Sequence, residues 1–168
     1  DLLSLLALES VRGGIVVVGE DLGTVSDEMR QGLAARGILS YRLFFFEREW
    51  GGTFKRCENY PQQAVVSTTT HDLPTLAGFW NGRDIHVRRE TGRLPDEQMY
   101  VQQLEQRMSD KVMMADVLAQ QGFLSAAQSD AAAKAEFLPS SIRDAILAFL
   151  SSTPAHLFLV NFEDLTLS

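Results

Sequence analysis

Apolar residues recur along the chain in two rhythms. Leu2, Leu3, Leu5, Leu6 and Leu8 lie on one helical face, and Gly13 and Gly14 break that pattern. Residues 15–18 (IVVV) are a continuous β-branched run, as expected of a strand buried in a parallel sheet. Ser26 is placed to cap a following helix, with Asp27 and Glu28 in its first turn and Gly37 just past its end. Residues 41–46 (YRLFFF) predict a second strand, and their aromatic content predicts burial on both faces. Residues 51–61 read as a polar loop, residues 64–68 as a third strand and residues 69–74 as the loop after it.

The pattern then turns helical from residue 81 to residue 138. Pro95, Asp96 and Glu97 open a long helix. Val101, Leu104, Met108 and Val112 give it an apolar stripe at three- and four-residue steps, and Gly122 ends it. Residues 126–135 are rich in alanine and predict another helix; Ser141 with Asp144 has the spacing of a capping box ahead of the apolar residues 146–150. Residues 156–160 predict a fourth strand, followed by Asn161, Phe162, Glu163 and Asp164. Strands alternating with helices predict an α/β fold around a parallel sheet. The chain opens inside a helical pattern without an initiator Met and stops soon after a strand, so both ends read as cuts through something longer.

Composition changes this picture little. The 168 residues are 45% hydrophobic and 22% charged, which is ordinary for a globular domain but short for a complete eight-stranded barrel of about 250 residues. A net charge of −7 argues against a nucleic-acid partner and against anionic membrane surfaces, and is compatible with a neutral substrate such as a sugar. No apolar run approaches the roughly 20 residues needed to span a bilayer. The single cysteine, Cys57, excludes an internal disulfide and a Cys-based zinc site, and fits a reducing cytoplasm.

In parallel α/β folds the reactive groups stand where strands end. Three acidic positions qualify: Glu20 with Asp21, Asp72, and Glu163 with Asp164. Two carboxylates at one mouth suit glycosyl transfer, where one acts as proton donor and another stays ionised beside an oxocarbenium-like centre. Each has a plainer reading. An acid at a strand end also serves as a helix cap or loop acceptor, and Asp72 stands before Leu73 and Pro74 as an N-cap would. Asp21 and Asp164 read as structural acids that tie loops to backbone amides. His71 reads as a hydrogen-bonding neighbour of Asp72 rather than a metal ligand, because no second His or Cys stands at ligand spacing. The three phenylalanines 44–46 read as core, with one of them available to face a sugar ring.

Four segments carry a resemblance. LALESVRGGIVVVGEDLGTV (residues 6–25), SYRLFFFERE (40–49), TTHDLPTL (69–76) and LFLVNFEDL (157–165) are similar to segments of the 4-α-glucanotransferases of the amylomaltase type, in the α-amylase clan. The likeness runs over nearly the whole chain, strongest in residues 6–80 and weakest in the helical stretch. It implies that the chain is the C-terminal half of a (β/α)8 barrel, about strands five to eight, with residues 83–138 a helical excursion after the third strand. It implies that Glu20 is the acid/base, that Asp72 is the transition-state stabiliser, and that His71 binds the same sugar. The family's nucleophile lies in an Arg-x-Asp motif, which this chain lacks. The implied substrates are maltooligosaccharides or other α-1,4-glucans, with no metal or organic cofactor. A related α-glucan hydrolase and a non-catalytic carbohydrate-binding α/β domain are the competing readings.

Overall fold

The computed structural model describes residues 1–166. Its frame is a sheet of four parallel strands in the order β1 (Val18–Gly19), β2 (Leu39–Leu43), β3 (Ala64–Ser67) and β4 (Leu157–Leu159). Val18 pairs with Leu39, Ser40 with Ala64, and Val65 with Leu157. Parallel pairing demands crossovers, and these supply the helices. Helix α1 (Leu2–Gly13) precedes β1, and α2 (Asp27–Ala34) joins β1 to β2. Residues 44–63 link β2 to β3 through a loop with one 3-10 turn at Cys57–Asn59. Between β3 and β4 run α3 (Leu76–Trp80), α4 (Arg83–Glu90), α5 (Glu97–Gln120), α6 (Ala126–Ala133) and α7 (Ser140–Ser151); α8 (Phe162–Thr166) follows β4.

Local chemistry sets the helix ends. Ser26 Oγ accepts the Met29 amide at the start of α2, and Asp96 Oδ1 accepts the Met99 amide at the start of α5. Gly14 ends α1 in the left-handed region at φ 61°, where a side chain would be strained. Gly19 answers a different need: a Cβ there would stand 3.2 Å from a methyl of Leu33, so the glycine lets β1 approach α2.

The main core cluster joins residues in and just after β2 and β3 to α5 and α7. Phe44, Phe54, Tyr60 and Val66 meet Met114 and Leu118 of α5 and Ile142, Ile146 and Phe149 of α7, all nearly inaccessible to solvent. Phe44 stacks on Phe54 with centroids 5.0 Å apart and meets Phe149 edge-on at 5.6 Å. Each such buried ring contributes roughly 1.5–3 kcal/mol relative to exposure.

Several sequence expectations are corrected. Residues 15–18 are not a buried strand: only Val18 joins the sheet, and Ile15, Val16 and Val18 are exposed, because β1 is an edge strand with one neighbour. The second strand begins at Leu39 and ends at Leu43. Phe46 and Glu47 both donate their amides to the Leu43 carbonyl, which folds the phenylalanine run into a turn; Phe44 and Phe45 are buried and Phe46 is exposed. On α5 the stripe of Val101, Met108 and Val112 faces solvent. Met114, Ala115, Val117 and Leu118 reach the core instead, because the helix's first half meets α4 through polar pairs such as Arg107–Asp84 and Arg88–Gln103. The Ser141–Asp144 capping box does not form: α7 starts two residues earlier, at Ser140 behind Pro139, and Asp144 accepts from Arg143. A capping box does form at Ser125 and Gln128. Among the described residues no helix is long and apolar enough to cross a membrane.

Candidate active site

Because all four strands are parallel, the segments that leave them emerge at one end of the sheet. Glu20 follows β1, His71 and Asp72 sit in the loop after β3, and Asn161 to Asp164 follow β4. The sequence-predicted residues therefore share the C-terminal edge of the sheet. They differ sharply in environment.

Glu20 is exposed and has no hydrogen bond or ion pair among the described residues. His71 and Asp72 are also exposed, and His71 Nε2 lies 3.3 Å from Asp72 Oδ2. Their loop is turned by the Leu73 amide, which donates to the Thr70 carbonyl, and by the Asp72 amide, which donates to Thr70 Oγ1 at 3.4 Å. Asp72 does not cap α3. Thr75 does so, its Oγ1 accepting the Gly78 amide at 3.1 Å. The cap reading of Asp72 is thereby removed, and its carboxylate is left facing solvent beside an imidazole.

Asp21 and Asp164 have the opposite character. Asp21 is buried; its Oδ1 accepts the Tyr41 amide at 2.8 Å and its Oδ2 meets Arg42 at 3.0 Å. Arg30 approaches the same oxygen at 3.8 Å, and Arg42 also faces Glu47, which pairs with Lys55. Asp164 is buried too, but its partners are Thr68 Oγ1 on Oδ2 and the Leu76 amide on Oδ1 at 2.7 Å. Burial raises its pKa, partly offset by those two hydrogen bonds. Both aspartates tie loops to backbone amides, as the sequence suggested.

Beside Asp21 opens a cleft of about 320 Å³ that Arg30, Tyr41, Arg42, Phe46 and Glu47 help to line. Its exposed Phe46 is the one member of the phenylalanine run with a free ring face. Sequence reasoning missed the basic groups here. Arg42 sits one residue past Tyr41 in a strand read only for its apolar members. It also missed Thr68 and Asn161, the latter bonding to Ser67 Oγ at 3.3 Å. Burial first, then its bond to Glu58, pushes the Cys57 thiol up, which disfavours the thiolate. Among the described residues no group of three His, Cys, Asp or Glu side chains is disposed to hold a metal ion.

The decisive likeness lies in the whole chain. The model of the 4-alpha-glucanotransferase family matches residues 1–168. The chain belongs to this family. A 4-alpha-glucanotransferase of Haemophilus influenzae is 38% identical over 124 residues, covering 74% of this chain and 18% of that protein. One of Mycobacterium tuberculosis is 33% identical over 170 residues, covering 97% and 22%. The crystal structure of amylomaltase from Corynebacterium glutamicum superposes with a TM-score of 0.81 at 30% identity, over 92% of this chain and 22% of that one. The α/β fold with its parallel sheet is thus that of a stretch of a solved amylomaltase. The chain spans about a fifth of the length of the curated relatives it matches.

Proposed function

We propose that this chain is the C-terminal half of a (β/α)8 catalytic barrel, about strands five to eight, in a cytoplasmic 4-α-glucanotransferase of maltose metabolism. Residues 83–138 are a helical excursion from that barrel. The parent enzyme moves α-1,4-glucan segments between maltooligosaccharides with retention of configuration. Glu20 protonates the leaving glycosidic oxygen and then deprotonates the incoming 4-hydroxyl. Asp72, with His71, holds the sugar at the cleavage subsite and favours its charge-bearing transition state. The attacking carboxylate belongs to another segment of the longer protein, since no Arg-x-Asp motif occurs here.

One observation carries this reading. The exposed ionisable groups at the C-terminal edge of the sheet are Glu20, the His71–Asp72 pair and Glu163, and of these Glu20 and Asp72 stand in the segments that resemble the family's acid/base and stabiliser. Their acidic neighbours Asp21 and Asp164 are buried and fully engaged. The apolar side chains of Leu2, Leu5 and Val11 on α1, and of Ile15 and Val16, are exposed, as suits surfaces that the rest of a barrel would cover.

The test uses the full-length protein containing these residues and maltotriose as sole substrate. Glu20→Gln and Asp72→Asn should each lower disproportionation by about 10²–10⁴-fold while the protein stays folded. Wild-type rates in either variant would overturn the assignment. Release of glucose without longer products would place the parent among the hydrolases instead.

A further inference from the structure

We infer that Asp164 is a positioning residue whose two carboxylate oxygens hold the two ends of the loop carrying His71 and Asp72. The inference rests on the role proposed above for Asp72. Thr68 is the last residue before that loop and Leu76 the first residue after it. Asp164 takes one on each oxygen: Thr68 Oγ1 donates to Oδ2, and the Leu76 amide donates to Oδ1. These contacts span 96 and 88 positions of sequence, so the loop is pinned from a segment that follows a different strand.

The surroundings make this tie specific. Asp164, Thr68 and Leu76 are each at most 2% exposed, whereas His71 and Asp72 between them stand in solvent. No basic side chain pairs with Asp164 among the described residues, so the loop's own ends supply its satisfaction. A buried carboxyl without a cation is costly unless both oxygens are bonded. The same segment adds a brace at the loop's entry, where Asn161 accepts from Ser67 Oγ and its Nδ2 donates to the Thr69 carbonyl at 3.5 Å. The result is a loop that exposes His71 and Asp72 while its termini are fixed in the core. A catalytic group needs such support, because a displacement of about 1 Å costs on the order of 10²-fold in rate.

The experiment compares full-length wild type with Asp164→Ala, Asp164→Asn, Thr68→Val and Asp72→Asn. Maltotriose turnover is read per folded molecule, alongside amide hydrogen exchange of residues 69–76. Asp164→Ala should lower kcat by about 10–100-fold with KM moved by less than about threefold, and residues 69–76 should lose protection. Asp164→Asn should return kcat to within about fivefold, because its carbonyl still accepts the Leu76 amide and its NH2 donates to Thr68. A role in overall stability alone would change the folded fraction but not kcat per folded molecule. If Asp164→Ala does not accumulate as folded protein, Thr68→Val carries the test. It removes one tie in an isosteric side chain and should cost about 3–10-fold in kcat. Turnover within about twofold of wild type in the tested variant, where Asp72→Asn is inactive, overturns the positioning role alone. Full turnover in Asp72→Asn overturns the role of Asp72 and the positioning role with it.

Discussion

Asp21 and Asp164 occupy matching places and are held in unlike ways. Each is a buried aspartate at the C-terminal edge of the sheet, and each steadies a segment that carries an exposed candidate group. Asp21, adjacent to Glu20, sits in a chain of charges that runs through Arg42 and Glu47 to Lys55, with Arg30 at its margin. Asp164 serves the Asp72 loop through a hydroxyl and a backbone amide, with no cation. The difference teaches that one residue type does two physical jobs here. At position 21 the charge itself is the tie; at position 164 the shape and the two acceptor oxygens are.

The same substitution at both positions is the strongest way to break this comparison. Asp21→Asn keeps an acceptor for the Tyr41 amide but removes the charge that faces Arg42. Breaking a buried pair costs about 3–5 kcal/mol, and the lower end is expected because Glu47 still faces Arg42 at 3.7 Å. Asp164→Asn should cost under about 1 kcal/mol at neutral pH, since no ion pair is lost. Urea unfolding of the full-length variants measures both. Equal costs at the two sites would show that the ionic and the hydrogen-bonded tie do not differ in kind.

A pH series sharpens the contrast by a smaller amount. Burial raises the Asp164 pKa in the folded protein above its unfolded value. A raised carboxyl favours folding most below its unfolded pKa, and that advantage is lost as pH rises through the folded pKa. Asp164→Asn removes the titration. The melting temperature of the variant minus that of wild type should therefore increase from about pH 4 upward, over the window in which the wild-type carboxyl ionises. A difference that stays flat or falls with pH would mean that the loop ends satisfy the anion better than its burial penalises it.

Much of this arrangement was legible in the sequence, for identifiable reasons. The β-branched run before Glu20 and the short run before Thr69 end in polar loops, so strand ends and their acids could be placed by position alone. Ser26, Asp96 and Gly14 signal helix ends through contacts within a few residues. The pairing of Thr68 with Asp164 has no such local signature, because both residues acquire their partner only when β3 and β4 come together. Periodicity likewise reveals that α5 has an apolar stripe but not which half of the helix meets the core. Residues 15 and 16 read as buried from their β-branched composition alone, and their exposure follows from the place of β1 at the sheet edge, which is a property of topology rather than of local composition.

A third acid provides the surface limit of the comparison and the smallest expected effect. Glu58 is exposed, yet its pKa is lowered to about 2, first by the hydrogen bond from Arg56, then by its own backbone amide and by Gln121. A depressed carboxyl contributes stability that is present above its unfolded pKa and is lost as pH falls toward the folded value. At an exposed site water and salt screen that contribution, so the pair should be visible in titration and nearly silent in stability. Arg56→Ala should move the Glu58 titration, followed by NMR of its side-chain carboxyl, upward toward the ordinary value of about 4.3. Raising the salt should shrink the shift in wild type, and the unfolding midpoint should stay within error at neutral pH. A clear loss of stability in Arg56→Ala would place Glu58 with Asp21 as a charge that holds the fold. Its absence would confine the ionic tie to the buried site, where Arg42 and Asp21 are shielded from solvent.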